Sequence, residues 1–524
     1  MSVKHGEMQS YPLTLQTFLE HAAAWHPQAQ VVTGRHDGRV DRIGYADLYR
    51  RSRRVSAVLH GLGVRAGECV ATLAWNTQAH VEAWYAVMGM GAVCHTLNPR
   101  LTPEQLAAMA AQSRPRVLVA SADLESMARD ITRLVPAIER LLLIDGPADR
   151  AADALEPLIG CADHEVPWGG FDETSPCGLC FTSGTTGAPK GVTYTHRSSF
   201  LHTLRLLQVD GMALSARDSV LAAVPMFHAN AWGLPFAAPA AGARLVLPGR
   251  VLDGAHLASL ILSEAVTVAV GVPTIWLTLV EHVERSGVAL PTLERIIVGG
   301  SPLAPALMER IEHRLGVIVQ TSWGMTELSP AGTVAPRDAP RAAHRSGRPA
   351  IGVDLRLTDG DGHPLPDQRG SEGHLRVRGN AALARYFGDD KPVTDADGWL
   401  PTGDLARIDA DGNLIVTGRA KDLIKSGGEW INPAEIEALV SGVPDVALAA
   451  VIGRPDIKWG ERPVLVVELR PPATVDDDRL LAPLRGKVPT WWIPDAVVRV
   501  ARMPLSPTGK IDKRGLRHAI DTNE

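Results

Sequence analysis

A loop rich in glycine and hydroxyl groups is the stretch of this chain best suited to hold a phosphate. It runs Thr182-Ser183-Gly184-Thr185-Thr186-Gly187-Ala188-Pro189-Lys190-Gly191, between an apolar run at 179–181 and a predicted strand at 192–195. Glycine backbone can approach a polyphosphate closely with its N–H groups turned inward, and lysine adds a mobile positive charge. The stretch is not a Walker A loop, because Lys190 is followed by Gly191 and no helix is indicated after it. The alternative interpretation is a solvated surface turn.

Length, composition and charge narrow the class of protein. The chain has 524 residues, which is too long for one ordinary core and predicts three or four folding units. Hydrophobic residues make up 45% and charged residues 21%, as in ordinary globular proteins. The net charge of −5 and the absence of a Lys/Arg block argue against nucleic acid as a partner.

Targeting signals are not indicated by the sequence. The start of the chain lacks a signal-peptide pattern, and Glu264 and Pro273 interrupt the most apolar window, 256–280. We therefore expect a cytoplasmic protein without a transmembrane segment. The five cysteines are scattered. Cys177 and Cys180 form a C-x-x-C, but no second pair completes a zinc site, so free thiols are expected.

The elements that must position the loop alternate between helix and strand. Helices are predicted at 13–24, 47–62 and 79–89, and strands at 69–73, 117–120, 141–144, 219–224, 244–247, 266–270 and 295–298. This rhythm predicts an α/β fold with parallel sheets and helices on their faces. From about Asp354 the predicted elements change to short strands joined by Asp-Gly turns. Beyond Gly418 a small α+β unit is expected.

Further stretches, taken with the loop, resemble the motifs of the adenylate-forming superfamily. That superfamily includes acyl-CoA synthetases, aryl-CoA ligases, firefly luciferase and the adenylation domains of peptide synthetases. The stretches are Val298-Gly299-Gly300-Ser301-Pro302-Leu303, Thr321-Ser322-Trp323-Gly324-Met325-Thr326-Glu327, Thr402-Gly403-Asp404, Gly418-Arg419-Ala420-Lys421-Asp422 and Pro504-Leu505-Ser506-Pro507-Thr508-Gly509-Lys510-Ile511-Asp512-Lys513. The resemblance implies a large N-terminal domain of parallel αβ layers at 1–417, with a barrel-like β-rich subdomain from about 354. A hinge at 418–422 and a small mobile C-terminal domain at 423–524 would follow.

The resemblance implies an ATP site and a magnesium ion. The residues it implies for ATP and AMP are Thr182, Ser183, Gly184, Thr185, Thr186, Gly187, Lys190, Gly300, Ser301, Ser322, Trp323, Gly324, Met325, Thr326, Asp404, Arg419 and Lys510. Trp323 stands where the family usually has tyrosine, and either ring can stack on adenine. Asp404 would accept hydrogen bonds from the ribose hydroxyls. Thr182 and Glu327 would contact Mg²⁺, and the catalytic residues would be Lys510, Lys190, Glu327 and His228.

The acid and coenzyme A sites are also implied by resemblance. The motif at 224–235 is similar to the gate of fatty acyl-CoA synthetases, in which the counterpart of Trp232 blocks an acyl tunnel. Residues implied for the gate and acid are His228, Asn230, Trp232, Gly299 and Trp430. Those implied for the hinge and coenzyme A are Lys421, Lys425, Ser426, Gly427, Gly428 and Glu429. The alternative is that His228 and Trp232 are core residues.

The sequence thus predicts an ATP-dependent, AMP-forming acyl-CoA synthetase. The small-molecule partners would be ATP, coenzyme A and an unbranched aliphatic acid, of the short- or medium-chain fatty or methylthio-alkanoic type. An aryl-CoA or other specialised CoA ligase and a catalytically silent nucleotide-binding homologue are the alternatives, and a homodimer is left open. Because Lys510 lies beside Gly509 near the end of the chain, its side chain is expected to be exposed.

Overall fold

The structure is a computed structural model that describes residues 8–146, 153–162, 165–182, 189–338, 340, 342–470, 472–507 and 509–521. The helices are α1 (Gln16–Trp25), α2 (Tyr45–Gly61), α3 (Gln78–Gly89), α4 (Pro103–Ser113), α5 (Glu125–Leu134), α6 (Leu155–Cys161), α7 (His196–Leu207), α8 (Leu234–Ala241), α9 (Gly254–Ser263), α10 (Pro273–Ser286), α11 (Pro305–Leu315), α12 (Pro433–Val440), α13 (Asp477–Leu481) and α14 (Lys513–Asp521). Within these ranges no helix combines the length and the apolar character needed to cross a bilayer.

The strands form four sheets. The first part of the chain gives β1 (Gln30–Gly34), β2 (Val40–Gly44), β3 (Cys69–Leu73), β4 (Val93–Thr96), β5 (Val117–Ser121), β6 (Arg140–Ile144), β7 (Pro176–Phe181), β8 (Gly191–Thr195), β9 (Ser219–Ala222), β10 (Arg244–Leu247), β11 (Val268–Gly271), β12 (Arg295–Val298) and β13 (Ile318–Gly324). The rest are β14 (Ala331–Val334), β15 (Arg348–Pro349), β16 (Val353–Thr358), β17 (Glu372–Gly379), β18 (Leu400–Ile408), β19 (Leu414–Arg419), β20 (Ile424–Ser426), β21 (Glu429–Ile431), β22 (Val446–Asp456), β23 (Gly460–Leu469) and β24 (Ala496–Val500).

Two mixed sheets with a parallel centre build the large part of the fold. The strand order is β15-β14-β13-β12-β11-β9-β10-β1-β2 in one and β6-β5-β3-β4-β7-β8 in the other. Successive side chains of a strand point to opposite faces. Accordingly, Val31 of β1 packs in a core with α1, α2, α3 and α8 that also contains Val70 and Val119 of the second sheet. Its neighbour Val32 packs on the other side against α9, α10 and α11.

The outer face of the six-stranded sheet is covered by α4 and α5, which pack on Ala71 and Leu118. The large part is therefore layered as helix, sheet, helix, sheet, helix, as the predicted alternation of strand and helix requires. The predicted elements are confirmed, with some ends shifted. The second helix begins at Tyr45 rather than 47 because Gly44 ends β2 and is also the helix N-cap residue.

The β-rich part and the C-terminal part have separate sheets. Strands β16 to β19 form a four-stranded antiparallel sheet in sequence order, and a subdomain boundary at about Asp354 stays a prediction. The last sheet has the order β21-β20-β23-β22, and β24 pairs in parallel with β23. Helix α12 packs on one face, with Ile436 and Val440 in its core, and Leu516 of α14 packs on the other. The described cysteines Cys69, Cys94, Cys161, Cys177 and Cys180 are free thiols, as expected.

Candidate active site

Four parallel neighbours in the nine-stranded sheet, β9, β11, β12 and β13, end at one edge. The carboxyl ends of such strands are where ligands bind in open α/β sheets. The segments that follow these strands are 224–235, 272–274, 299–303 and 325–327. Three of the four carry predicted site residues, so the fold brings motifs distant in sequence to one edge.

The predicted phosphate loop joins two antiparallel strands. Phe181 of β7 is opposite Gly191 of β8, and the Thr182 N–H donates a hydrogen bond of 2.9 Å to the Lys190 carbonyl. The expected strand–loop–strand arrangement is confirmed, since strand β8 and not a helix begins directly after Lys190. The loop positions Ser183, Gly184, Thr185, Thr186 and Gly187 lie outside the described residues.

Tyr386 links two of the predicted catalytic residues, and the sequence analysis missed it. Its hydroxyl donates a 2.8 Å hydrogen bond to Oε1 of Glu327, and its ring centroid lies 4.8 Å from Nζ of Lys190. The next residue, Phe387, donates its N–H to the Gly191 carbonyl at 2.8 Å. The segment around Tyr386 therefore packs against the base of the phosphate loop. No motif in the sequence marked it.

Glu327 is a buried carboxylate, 9% exposed. Among the described residues, no lysine, arginine or histidine lies within ion-pair distance of it. Burying a carboxylate without a paired cation costs free energy of folding. A bound metal ion would supply the missing positive charge. A carboxylate is an oxygen donor of the type that Mg²⁺ prefers, and Thr182, the predicted second contact, lies at the start of the phosphate loop. The residues present therefore fit a magnesium ion.

Each carboxylate oxygen of Asp404 is paired with the side chain of a predicted nucleotide-binding residue. The Trp323 indole N–H donates a 2.8 Å hydrogen bond to Oδ2, and Nε of Arg419 lies 2.7 Å from Oδ1. The carboxyl is 3% exposed, so burial raises its pKa while the charge of Arg419 opposes the rise. Each carboxylate oxygen still has a lone pair for a further donor. The sequence placed these three residues in one site but did not indicate the bonds between them.

The end of β13 is shaped by close backbone contacts. The Ser322 hydroxyl donates to the Val298 carbonyl at 3.0 Å, which ties β13 to β12. A β-carbon added at Gly324 would lie 2.3 Å from the Pro330 carbonyl oxygen. The Met325 N–H bonds that same carbonyl at 3.1 Å, and the Thr326 carbonyl accepts from the Tyr194 hydroxyl at 2.9 Å. Only glycine fits at 324 without moving this turn.

The gate motif contains a left-handed turn. Ala229, Asn230, Ala231 and Trp232 have φ values of 44°, 51°, 47° and 54°. Non-glycine residues in this region cost about 1–3 kcal/mol each, and such strain clusters at functional sites. The turn places the Trp232 ring against the glycines after β12, because a β-carbon added at Gly299 would lie 3.1 Å from that ring. Trp232 is therefore held by strained backbone at the predicted base-binding turn, with Asn230 buried beside it.

Lys510 reaches the same edge from the C-terminal part. A β-carbon added at Gly300, whose φ is +81°, would lie 3.8 Å from Cε of Lys510. Burial and the charge of Arg419 lower the pKa of Lys510 to about 8, against the opposing charges of Asp404 and Glu327. The expectation that its side chain is exposed is wrong: it is half-buried, because the loop carrying it folds onto the large part.

Two side chains of the large part hold that loop, and the sequence analysis missed both. Arg100 donates from Nη1 to the Pro507 carbonyl at 2.9 Å, and the Thr274 hydroxyl donates to the Gly509 carbonyl at 3.1 Å. Arg100 follows β4 and Thr274 opens α10. In the sequence each of the two is marked only as a polar residue that follows a proline, a few positions after an apolar strand.

The charge of Lys510 acts on His228, which stays neutral at physiological pH. Burial and the charge of Lys510 lower the pKa of His228 to about 4. A neutral imidazole beside a lysine can accept or donate a hydrogen bond without adding charge. His228 is half-buried, which argues against the alternative that it is a core residue sealed from substrate.

The predicted coenzyme A segment is a hairpin on the C-terminal part. Strands β20 and β21 pair with Ser426 opposite Glu429, and Gly427 and Gly428 have φ values of 60° and 90°, as a two-residue hairpin turn requires. Trp430 is 53% exposed, and the Lys425 ammonium lies 5.4 Å from its ring centroid. Among the described residues no ring contact joins Trp430 to Trp232, so the structure does not bring the two predicted gate residues together.

The family of the chain follows from comparison with known proteins. Residues 19–387 match the family described as AMP-binding enzyme, and residues 435–510 match the AMP-binding enzyme C-terminal domain. The two matched regions fall on the large part and on the C-terminal part of the fold. The chain belongs to the family of AMP-binding enzymes.

Named relatives of the chain are acyl-CoA ligases. It is 41% identical to the 3-methylmercaptopropionyl-CoA ligase of Ruegeria pomeroyi, with 98% of each chain covered. It is 39% identical to the medium-chain-fatty-acid–CoA ligase of Ectopseudomonas oleovorans, over 98% of this chain and 97% of the relative. Among solved structures, the anthranilate CoA ligase AuaEII in complex with anthranoyl-AMP has a TM-score of 0.89 at 25% identity, over 99% of this chain and 100% of that one. The predicted class, an AMP-forming acid–thiol ligase, is confirmed.

Proposed function

We propose that this AMP-forming ligase activates an unbranched aliphatic carboxylic acid of short to medium chain, fatty or methylthio-alkanoic, and transfers it to coenzyme A. The observation that carries the proposal is that Lys510 of the C-terminal part reaches Gly300 at the sheet edge, where its charge acts on His228 and Asp404. The two relatives of about 40% identity act, by name, on a methylmercaptopropionyl and on medium-chain fatty acids. The gate motif at 224–235 supports an aliphatic rather than an aryl acid.

In the first half-reaction the acid carboxylate attacks the α-phosphorus of ATP. The new bond is an acyl–phosphate bond, the bond that breaks joins the α-phosphorus to the bridging oxygen, and pyrophosphate leaves with that electron pair. No general base is needed because the carboxylate is ionised. Lys510 and Lys190 would stabilise the growing negative charge on the phosphoryl oxygens. The neutral His228 would orient the carboxylate without attracting it away from phosphorus.

Nucleotide binding would use the residues around Asp404. Its free lone pairs would accept the ribose hydroxyls, while Trp323 and Arg419 hold it in place. The indole of Trp323 would border the adenine together with Gly300 and Ser301. A magnesium ion held by Glu327 and Thr182 would supply positive charge to the phosphates. Tyr386 would orient Glu327 through its hydrogen bond.

In the second half-reaction the thiolate of coenzyme A attacks the acyl carbonyl, and AMP leaves with the electrons of the acyl–oxygen bond. We propose that the C-terminal part, hinged at 418–422, turns Lys510 away and brings residues 425–429 to the site for this step. Gly428 at the hairpin turn, where an added β-carbon would meet nothing within 4 Å, leaves room for a pantetheine arm to pass close to backbone. Lys421 lies in the proposed hinge, in the short 3₁₀ helix Ala420–Asp422.

The test is a panel of acids in two assays. Straight-chain acids, methylthio-alkanoic acids, branched acids and aryl acids are compared by ATP–pyrophosphate exchange and by coenzyme A-dependent AMP release. The proposal expects the highest kcat/KM among unbranched aliphatic acids. A preference for aryl acids would support the aryl-CoA ligase alternative, and a lack of exchange with every acid would support the silent homologue. A cytoplasmic location and a homodimer stay predictions, to be checked by cell fractionation and sedimentation velocity.

A further inference from the structure

Tyr386 contacts two opposite charges that do not contact each other. Its hydroxyl donates to Oε1 of Glu327 at 2.8 Å, and the Lys190 ammonium lies 4.8 Å from the centre of its ring. A cation at this distance is attracted to the face of an aromatic ring. Among the residues that the structure describes, no ion pair joins Lys190 to Glu327. One side chain thus contacts a lysine and a carboxylate that stay apart.

The position of Tyr386 is held by its own segment and not only by these two charges. The Leu383 N–H donates to the Glu327 carbonyl at 2.8 Å, and the Phe387 N–H donates to the Gly191 carbonyl at 2.8 Å. The Tyr386 ring packs against the core between the two large sheets, and Phe387 packs against the core on the outer face of the six-stranded sheet. The backbone and the packing therefore keep the ring between β8 and the turn that carries Glu327.

The second carboxylate oxygen of Glu327 stays open. Oε2 accepts no hydrogen bond from the described residues, and it is not among the buried atoms that lack a partner. A carboxylate that is largely buried attracts any cation that can reach it. Lys190 is exposed, and its flexible stem lets the ammonium take several positions. The face of the Tyr386 ring offers that ammonium another attraction.

We propose that Tyr386 is a positioning residue that keeps Lys190 from pairing with Glu327. Its ring holds the ammonium on one face, while its hydroxyl holds the carboxylate at the edge. The lysine then remains available to a phosphate, and Oε2 remains available to a magnesium ion. A direct pair would occupy both groups and would have to break before either ligand bound. The inference rests on the proposed function, in which Lys190 binds phosphate and Glu327 binds magnesium.

The experiment measures Mn²⁺ binding to the full-length enzyme without nucleotide or acid. Mn²⁺ favours the same oxygen ligands as Mg²⁺, and electron paramagnetic resonance counts the free ion. The binding that is lost in Glu327→Gln defines the site. In Tyr386→Leu the lysine can pair with Glu327, and that hydrogen bond between charged groups must break before Mn²⁺ binds. We therefore expect the Mn²⁺ affinity of this site to fall about tenfold or more.

The decisive variant removes the competing cation. Adding Lys190→Met to Tyr386→Leu should restore the Mn²⁺ affinity to within about twofold of that of the parent. Lys190→Met alone should leave the affinity unchanged, because the lysine is not paired with Glu327 when the ring is present. A ring that served packing alone would give Tyr386→Leu a loss that Lys190→Met does not restore.

Two further substitutions at position 386 separate the ring from the hydroxyl. Tyr386→Phe keeps the ring, so any change in its Mn²⁺ affinity should be the same with and without Lys190→Met. Tyr386→Met removes the ring with an unbranched side chain that fills irregular space, and it should repeat the result of Tyr386→Leu. Melting temperatures check the fold of each variant.

The matched control for the lysine is Lys425→Met. Lys425 also places its ammonium over an aromatic ring, that of Trp430, but on the C-terminal part. Added to Tyr386→Leu, it should not restore Mn²⁺ binding. Restoration by Lys425→Met would mean that the loss of any positive charge is enough, and the assignment would fail.

Three other results would overturn the assignment. These are an unchanged Mn²⁺ affinity in both Tyr386→Leu and Tyr386→Met, a loss that persists after Lys190→Met, and a rescue by Lys510→Ala in place of Lys190→Met. Equal Mn²⁺ binding by the parent and Glu327→Gln would remove the magnesium site together with this inference. Because no acid is present, a failure of every acid in pyrophosphate exchange would remove the proposed substrate class and leave the role of Tyr386 standing.

Discussion

The Thr274 hydroxyl at the start of α10 donates a 3.1 Å hydrogen bond to the carbonyl of Gly509, the residue before Lys510. The two residues are separated by 235 positions in the chain. Gly509 has a φ of +84°, a left-handed backbone conformation that glycine adopts freely and other residues rarely do. The contact fixes the position from which Lys510 reaches the site.

Replacing Thr274 should slow adenylate formation selectively. Thr274→Val removes one donor and leaves the Gly509 carbonyl unpaired, at a cost of about 0.5–1.5 kcal/mol, or roughly 2- to 10-fold in rate. Pyrophosphate exchange measures the loss, and Thr274→Ser should restore the rate. Thr278→Val is the matched control, because that hydroxyl bonds only within its own helix, to Ile275.

A double-mutant cycle shows whether Thr274 acts through the lysine. If Thr274 only positions Lys510, Thr274→Val should have no further effect on exchange in a Lys510→Ala background. Additive losses would mean that Thr274 serves the site in another way.

The pH profile of adenylate formation should have an alkaline limb set by Lys510. Its pKa is lowered to about 8, so the ammonium is present below that pH and is lost as pH rises through it. The kcat/KM for exchange should therefore be at its maximum below about pH 8 and should fall as the pH rises above that value. Lys510→Arg keeps the charge at all accessible pH and should remove the limb. A limb that persists unchanged in Lys510→Arg would assign it to another group.

Removing the gate ring should change the choice of acid. Trp232→Gly deletes the ring that lies against Gly299 and places at φ 54° the residue type that adopts this conformation freely. The kcat/KM ratio of branched to linear acids should rise, while the KM for ATP stays within about twofold because the phosphate contacts are untouched. An unaltered acid profile would make Trp232 a packing residue.

A proline in the hinge should separate the two half-reactions. Lys421→Pro fixes φ near −65° in the 3₁₀ turn Ala420–Asp422, and so resists rotation of the backbone there. Exchange should be largely retained, while thioester formation slows by tenfold or more, about 1.4 kcal/mol. Lys421→Ala is the control for the loss of the side chain. Equal slowing of both steps would contradict the hinge assignment.

Much of the fold was predictable because local patterns agree with it. The strand predicted at 69–73 is β3 and the strand predicted at 295–298 is β12, since buried parallel strands are mostly apolar in sequence. The strand–loop–strand arrangement around 182–190 was predictable from the apolar run before the loop and the strand pattern after it, and these form β7 and β8, which pair across it.

What the sequence could not predict depends on contacts between distant residues. The bond from Trp323 to Asp404 joins positions 81 apart, and Tyr386 reaches Glu327 over 59. No local periodicity encodes either pair. Lys510 was expected to be exposed because it lies beside Gly509 near the end of the chain, yet docking through Arg100 and Thr274 half-buries it. The left-handed turn at 229–232 opposes the local preference of its residues, as strained functional segments do.

The most direct test of the account is single-turnover thioester formation by Lys510→Ala from preformed acyl-adenylate and coenzyme A. In this structure Cε of Lys510 lies near Gly300 and its charge interacts with that of Asp404, whereas the proposed rotation of the C-terminal part would carry Lys510 away for the second step. Its removal should lower acid-dependent exchange by about 10²–10³, or roughly 3–4 kcal/mol. The thioester step should proceed at near the parent rate. A variant equally slow in both steps would contradict the central claim that Lys510 serves adenylate formation alone.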